Sequence, residues 1–257
     1  MCDRYPQKNT NEPTNTQRHF MTIAYKGAAY HGWQRQHEVS TVQGTLEEAL
    51  ARLGVPCLLT GSSRTDAGVH ALGQVAHVDL PTDVDTKSLC HRLSRLLPSD
   101  ICVRALYPVS PTAHARFDAL GRKYCYHLTT VPNPFLAATS HYCPYPLDME
   151  KMNEAANYLL GTHHCQSFCK GHADVPNHIC HITTARWQQK DDQLTFYIHA
   201  NRFVHGMVRA IVGTLIEVGR GRLTPDDIPK IIAQKDRCAA KSAAPPQGLF
   251  LQEVVYD

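Results

Sequence analysis

The chain has 257 residues, of which 43% are hydrophobic and 19% are charged, and its formal net charge at pH 7 is +3. At about 150 residues per domain, this length predicts one large domain or two modest ones with a packed core. The ordinary composition excludes a disordered or collagen-like protein, and the small net charge does not by itself indicate a nucleic-acid partner.

The N-terminal segment and the cysteines bear on the compartment of the protein. Residues 1–18 are polar and contain proline, without the apolar run of a secretory signal, so we expect a disordered tail. No run of about 18 apolar residues occurs in the chain, so we expect no membrane-spanning helix. The ten cysteines have no regular spacing, which favours a reducing compartment, the cytoplasm, over a disulfide framework.

The first half of the chain alternates between strand and helix patterns. Short apolar or alternating runs predict four strands, and apolar residues spaced three or four apart predict two helices. The strands cover residues 19–25, 57–60, 74–80 and 101–107, and the helices cover residues 41–53 and the stretch from Thr86 to Pro98. The resulting order, β-α-β-β-α-β, is typical of a ferredoxin-like α+β unit.

The second half repeats this kind of pattern. Strands are predicted at residues 122–130, 182–188, 194–200 and 248–256, and helices over residues 148–161, over residues 204–215 and from Thr224 onwards. We therefore predict two α+β domains, residues 19–110 and residues 111–257, which follow the tail at residues 1–18.

The loop between the second and third predicted strands contains the most unusual run of the chain. It reads GSSRTDAGVHA over residues 61–71. A loop that is fixed on a rigid sheet is a common place to display a reactive group. Asp and Gly are also ordinary turn formers, however. On the residues alone, Asp66 is therefore either a turn former or a reactive carboxylate.

This run resembles the signature of the tRNA pseudouridine synthase A family. Further matches occur in the family's order along the chain: GWQRQ at 32–36, GQVAH at 73–77, LPSDI at 97–101, HARF at 114–117, KY at 123–124, FVH at 203–205, MVR at 207–209 and KDR at 235–237. Together they extend over residues 19–257. Three positions depart from the family pattern: Ser63 replaces a glycine, Ser94 replaces an asparagine, and His164 with Cys165 replaces Asp-Phe.

The resemblance implies a fold and an activity. The two halves would form one continuous, mainly antiparallel sheet with helices on one face and an RNA-binding cleft between the halves. The protein would isomerise uridine to pseudouridine at positions 38, 39 and 40 of the tRNA anticodon arm, without a cofactor or metal, and would act as a homodimer. The alternative is a tRNA-binding module or chaperone of the same fold that does no chemistry.

The resemblance also implies the catalytic residues. Asp66 would be the nucleophile, because a carboxylate can form and release a covalent adduct without a metal. Attack on C6 of the base, attack on C1' and removal of a sugar proton all remain open. Arg209 would keep Asp66 charged through a forked pairing, Tyr124 would stack on a flipped-out uracil, and Arg64 would help the nucleotide leave the base stack. Without the resemblance, Arg209 is an ordinary rim arginine and Tyr124 a core residue.

Contacts with RNA require local positive charge and aromatic surface. The candidates near the matched motifs are Trp33, Arg35, Arg116, Arg122, Lys123 and Arg202. A Cys/His cluster that departs from the family pattern comprises His163, His164, Cys165, Cys169, His172, His178, Cys180 and His181. Some of its spacings are compatible with zinc, but no second knuckle follows and a chain of this size folds without a metal, so we expect no metal site.

Overall fold

A computed structural model of the chain describes residues 15–171 and 177–257, and within these ranges the chain forms ten strands and five α-helices. The strands are β1 (Thr16–Tyr25), β2 (Thr60–Gly61), β3 (His70–Pro81), β4 (Ile101–Pro108), β5 (Gly121–Thr129), β6 (His141–Tyr142), β7 (Gly161–His164), β8 (Ile179–Lys190), β9 (Gln193–Ala200) and β10 (Leu249–Val255). The helices are α1 (Val42–Arg52), α2 (Thr86–Leu96), α3 (Met149–Asn157), α4 (Met207–Gly219) and α5 (Asp227–Gln234).

The strands form one sheet in the order β4-β1-β3-β10-β5-β9-β8-β7, with β2 paired to β3 and β6 paired to β5. All neighbours along the main path are antiparallel except β3 and β10, which run parallel. This sheet confirms the predicted α+β class and the continuous, mainly antiparallel arrangement. None of the described helices is long and apolar enough to cross a membrane.

The pairing of β10 brings the two halves of the chain together. In the parallel register Leu251 lies opposite Ala71 of β3, and in the antiparallel register the same residue lies opposite Tyr124 of β5. The start of β3 is therefore only two strands away from Tyr124. As a result, the loop that precedes β3 and carries Asp66 lies beside the second half of the chain.

The structure differs from the sequence prediction at several element boundaries; β3, for example, begins at His70 rather than at residue 74. β1 begins at Thr16, inside the expected tail, and is anchored by two 2.8 Å bonds from Arg18 to Asp79 of β3. The strand predicted at residues 57–60 is reduced to the two residues of β2. Residues 1–14 of the expected tail lie outside the described residues, and the predicted division between residues 110 and 111 falls in the connection between β4 and β5.

Another difference lies at the start of α4. The predicted helix begins at residue 204, whereas α4 begins at Met207 because Gly206 adopts the left-handed conformation, with φ of 70°. Its predicted apolar stripe is confirmed, since Val208, Ile211, Val212 and Leu215 are all buried. Burial on nearly every side holds α4 in one position, so a side chain from its first turn is held rigidly as well.

Candidate active site

Asp66 lies in the loop between β2 and β3, and the backbone on either side of it is tied to the first half of the sheet. The backbone N–H of Trp33 donates to the carbonyl of Thr65 at 3.1 Å, and the Thr65 hydroxyl bonds to the Tyr25 hydroxyl at 2.8 Å. The N–H of Val69 donates back to the carbonyl of Asp66 at 3.2 Å. The carboxylate therefore stands on a short, fixed turn and is 20% exposed.

The other side of the loop is held by Gln74, which is fully buried. Its side-chain oxygen accepts a bond from the Ser62 hydroxyl at 2.7 Å, and its amide nitrogen donates to the Ser63 carbonyl at 2.8 Å. The loop path at Ser63 is thus fixed through a bond from Gln74 to the Ser63 carbonyl. Gln74 belongs to the matched motif after the loop, but the sequence did not single it out as a site residue.

Two glycines allow the segment between β1 and α1 to approach the Asp66 loop closely. Gly32 has φ of 89°, which favours glycine, and a Cβ there would overlap the carbonyl oxygen of Thr65. A Cβ on Gly27 would overlap the carbonyl oxygen of Val69. Both positions therefore exclude a side chain, so that backbone packs directly on backbone beneath Asp66.

Arg209 pairs with Asp66, as the family resemblance implies. Its Nη1 donates to Oδ2 of Asp66 at 3.2 Å, and its Nε donates to the carbonyl of Ala244 at 2.7 Å. The expected forked pairing is wrong, because the guanidinium divides its donors between the carboxylate and a main-chain oxygen. The second bond fixes the orientation of the guanidinium, and the Ala244 N–H returns a 2.9 Å bond to the Arg209 carbonyl.

His205 also contacts the carboxylate, which the sequence analysis did not predict. Its Nε2 lies 3.1 Å from Oδ1 of Asp66, so both carboxylate oxygens have a partner. His205 precedes α4 and Arg209 lies in its first turn, and the positive end of a helix dipole favours a nearby negative charge. The only sequence signal was the presence of His205 in the matched FVH run.

Tyr124 stands on β5 beside this group. Its ring meets the ring of Phe203 edge-on, with 5.1 Å between centroids and 83° between planes. Burial raises the pKa of Tyr124, a hydrogen bond with Ser63 lowers it, and the negative charge of Asp66 raises it further. Tyr124 is therefore a neutral phenol at physiological pH. The predicted stacking of its ring on a uracil stays a prediction.

Three of the predicted cationic residues lie in segments that belong to the site. Arg64 is exposed two residues before Asp66, and Arg202 lies in the loop that carries His205. Arg116 is exposed in the connection between β4 and β5, with its guanidinium carbon 5.7 Å from the centre of the Phe117 ring. These residues remain candidates for contact with a polyanion.

The structure contradicts the predicted RNA contacts of Trp33 and Arg122. Trp33 is only 2% exposed, and its ring stacks on Tyr25 with 6.0 Å between centroids. Arg122 is 8% exposed and directs its guanidinium at four main-chain oxygens. Both residues therefore support the walls of the site from within and do not reach a ligand.

Lys123 and Arg35 are also placed differently from the prediction. Side chains alternate between the faces of a strand, so Lys123 lies on the opposite face of β5 from Tyr124, where its Nζ pairs with Glu253 at 2.8 Å. Lys123 therefore does not belong to this site. Arg35 pairs with the buried carboxylate of Glu47 at 3.0 Å, which gives it a structural contact, and its contact with RNA stays a prediction.

The Cys/His cluster lies next to the loop that carries His205. Cys165, Cys169 and Cys180 are buried, and the N–H of Lys170 donates to the carbonyl of His205 at 2.7 Å. Within residues 15–171 and 177–257, no group of three or more His, Cys, Asp or Glu side chains is arranged to hold a metal ion. His172, which belongs to the predicted cluster, lies outside the described residues.

His70 closes the loop at its junction with β3. It is fully buried, its Nδ1 accepts the N–H of Gly27 at 3.0 Å, and its Nε2 lies 3.1 Å from the carbonyl of Gln247. The ring is therefore neutral, with its proton on Nε2. Burial is the main cause that lowers the pKa of His70 below its ordinary value.

We expect the free energy of unfolding to decrease as the pH falls below about 6.5, in part because of His70. The unfolded chain takes up a proton there while the folded ring stays neutral, so this stabilisation is complete above about pH 6.5 and is lost as the pH falls towards the lowered pKa. Urea unfolding at several pH values measures the slope, which is at most about 1.4 kcal/mol per pH unit for one proton. His70→Asn keeps an acceptor for Gly27, and an unchanged slope in this variant would contradict the assignment to His70.

Comparisons with known proteins identify the family of the chain. The family model described as tRNA pseudouridine synthase matches residues 21–118 and 155–257. Proteins called tRNA pseudouridine synthase A are similar over nearly their whole length. The one from Parabacteroides distasonis is 47% identical over 93% of this chain and 96% of its own. The one from Bacteroides fragilis is 48% identical over 94% and 97%, and the one from Bacillus pumilus 40% identical over 92% and 98%.

Proposed function

The chain belongs to the tRNA pseudouridine synthase family, and on this premise we propose that it isomerises uridine to pseudouridine at positions 38, 39 and 40 of the tRNA anticodon arm. One observation carries the proposal: the carboxylate of Asp66 is partly exposed on a fixed turn, with Arg209 on one oxygen and His205 on the other. This arrangement suits a nucleophile that must stay charged when a ligand excludes water.

The isomerisation requires a group that breaks the bond between N1 of uracil and C1' of the ribose and then permits a new bond from C5. Asp66 supplies this group, and the reaction needs no cofactor or metal, because a carboxylate can form and release the adduct unaided. Arg209 keeps the carboxylate anionic and oriented through its bonds to Asp66 and Ala244. The position of Tyr124 beside Asp66 supports its role in holding the flipped-out base.

Binding of the anticodon stem-loop would involve cationic side chains in the loops near Asp66, of which Arg64 and Arg116 are exposed and Arg202 is partly exposed. Arg64, Arg116 and Arg202 lie in the three loops that surround the carboxylate and its partners, and phosphate contacts need such side chains. We place the protein in the cytoplasm as a homodimer. A sedimentation mass equal to one chain would contradict the dimer.

The proposed function is tested by incubating the protein with unmodified tRNA transcripts and mapping pseudouridine by its stable carbodiimide adduct. We expect adducts at positions 38, 39 and 40 wherever the transcript has uridine there, and none when Asp66 is replaced. Adducts at other positions would contradict the proposed specificity. Tight binding without any product would favour the tRNA-binding module.

Arg64→Ala is expected to weaken tRNA binding and to make the binding constant less dependent on salt concentration. Each phosphate contact contributes about 0.7–0.9 to the slope of log K against log salt, so the slope should fall by roughly that amount if Arg64 contacts a phosphate. Filter binding at several salt concentrations measures this slope. Lys123→Ala is the matched control, because it removes a positive charge from the opposite face of the sheet. Equal slopes in the two variants would contradict the role of Arg64.

A further inference from the structure

The backbone of His205 is fixed by hydrogen bonds on both sides of the residue. The His205 carbonyl accepts a 2.7 Å bond from the N–H of Lys170. The Met207 N–H donates to the Val204 carbonyl at 3.1 Å, which closes a turn around His205. The next residue, Gly206, has φ of 70°, and a Cβ there would lie 2.9 Å from Cβ of Lys170. The turn before α4 is thus fixed, and it presents the imidazole to Asp66 while the side chain is 51% exposed.

The contact with Asp66 determines which ring nitrogen carries the proton. A carboxylate oxygen can only accept, so Nε2 of His205 donates to Oδ1 of Asp66 at 3.1 Å. In the neutral ring, Nδ1 then has a free lone pair. Nδ1 makes no hydrogen bond with any residue in the described part of the chain. A half-exposed imidazole that a carboxylate orients in this way has the arrangement of a general base.

The proposed isomerisation requires a base after the new bond has formed. The bond between C1' and N1 breaks and a bond between C1' and C5 forms, so C5 then carries both the ribose and its original hydrogen. That hydrogen leaves as a proton, its electron pair restores the double bond of the ring, and N1 takes a proton from water. The composition of the nucleotide is unchanged, but the proton on C5 needs an acceptor within the site.

The other side chains around Asp66 are poorly suited to accept this proton. The guanidinium of Arg209 has no lone pair that could accept a proton, and burial raises the pKa of Tyr124, which keeps the phenol protonated. Asp66 has another role in the proposed function, as the nucleophile, with Arg209 and His205 on its two oxygens. A neutral imidazole, by contrast, keeps an unshared electron pair on one ring nitrogen that can accept a proton.

We propose that His205 accepts the proton that leaves C5 on its Nδ1 and passes it to water, while Asp66 holds the ring in position. This role rests on the proposed function, and it adds His205 to the catalytic residues. Removing a general base typically slows a reaction by about 10²–10⁴-fold. His205→Ala should lower kcat by that factor.

The test uses tRNA transcribed with deuterium at C5 of uridine. In His205→Ala we expect proton loss to become the slow step, so that turnover is slower with deuterium than with hydrogen, and added imidazole should restore part of the rate. His205→Gln can still donate to Oδ1 but cannot accept the proton, so it should be as slow as His205→Ala. Recovery of the rate in His205→Gln would overturn the proposal and leave His205 a positioning residue.

Controls separate this proposal from the proposed function. If the unaltered protein forms no pseudouridine, the proposed function itself fails. If it forms pseudouridine and His205→Ala does so equally fast, with no effect of deuterium, only the role of His205 fails. Thermal unfolding and tRNA binding report whether the variants fold. His91→Ala removes an exposed histidine from α2 and is the matched variant expected to keep full activity.

Discussion

Asp66→Asn is expected to abolish turnover while tRNA binding remains. The amide has the shape of the carboxylate, and its oxygen can still accept the 3.2 Å bond from Arg209, but it has no anionic oxygen with which to form an adduct. Loss of a nucleophile or its immediate partner costs on the order of 10⁴–10⁶-fold in kcat. Single-turnover formation of pseudouridine, measured with enzyme in excess over tRNA, gives the residual rate.

A matched variant shows whether the loss belongs to this carboxylate. Asp79→Asn makes the same substitution on β3, where Asp79 forms a partly exposed ion pair with Arg18 of β1. An exposed pair of this kind contributes only about 0–1 kcal/mol to stability, so we expect its turnover to stay close to that of the unaltered chain. Turnover in Asp66→Asn comparable with that of Asp79→Asn would contradict the role of Asp66 as nucleophile.

The local pattern of the sequence was sufficient for most of the elements but not for their assembly. The apolar spacing in α4 and the alternation of Tyr124, Tyr126 and Leu128 in β5 predict buried faces, and these side chains are buried. The position of β10 between β3 and β5 has no local signal, because strand pairing depends on contacts between residues far apart in the chain. The late start of α4 depends on the left-handed Gly206, which apolar spacing does not detect.

In the candidate site, too, the sequence identified some residues, whereas others depend on contacts between distant parts of the chain. The family motif identifies Asp66 and Arg209, and the structure pairs them. His205 could not be assigned, because a histidine in a loop has no periodic pattern and its partner is 139 residues away in the sequence. The error at Lys123 was avoidable, since the period of two in a strand already places it on the opposite face from Tyr124.

Arg122 shows why a cation next to a functional motif can have a purely internal role. Its Nη2 donates to the carbonyls of Ser62 and Arg116 at 3.0 and 2.7 Å, and its Nη1 donates to those of Ala119 and Asn201 at 3.1 and 3.2 Å. These oxygens belong to the Asp66 loop, the connection between β4 and β5, and the loop that leads to His205. One buried guanidinium thus joins the three segments that carry the site.

Arg122→Met is therefore expected to lower the free energy of unfolding by several kcal/mol and to reduce turnover in the protein that remains folded. Each carbonyl left unpaired in the interior costs about 1–3 kcal/mol, and methionine fills the space without donating a bond. Urea unfolding measures the stability, and turnover well below the unfolding transition measures the site. Arg104→Met, which removes an exposed arginine from β4, is the control and should change neither quantity. Stability equal to that of Arg104→Met would show that the four bonds of Arg122 do not hold these segments together. Normal stability with lost turnover would instead indicate a direct contact between Arg122 and the substrate.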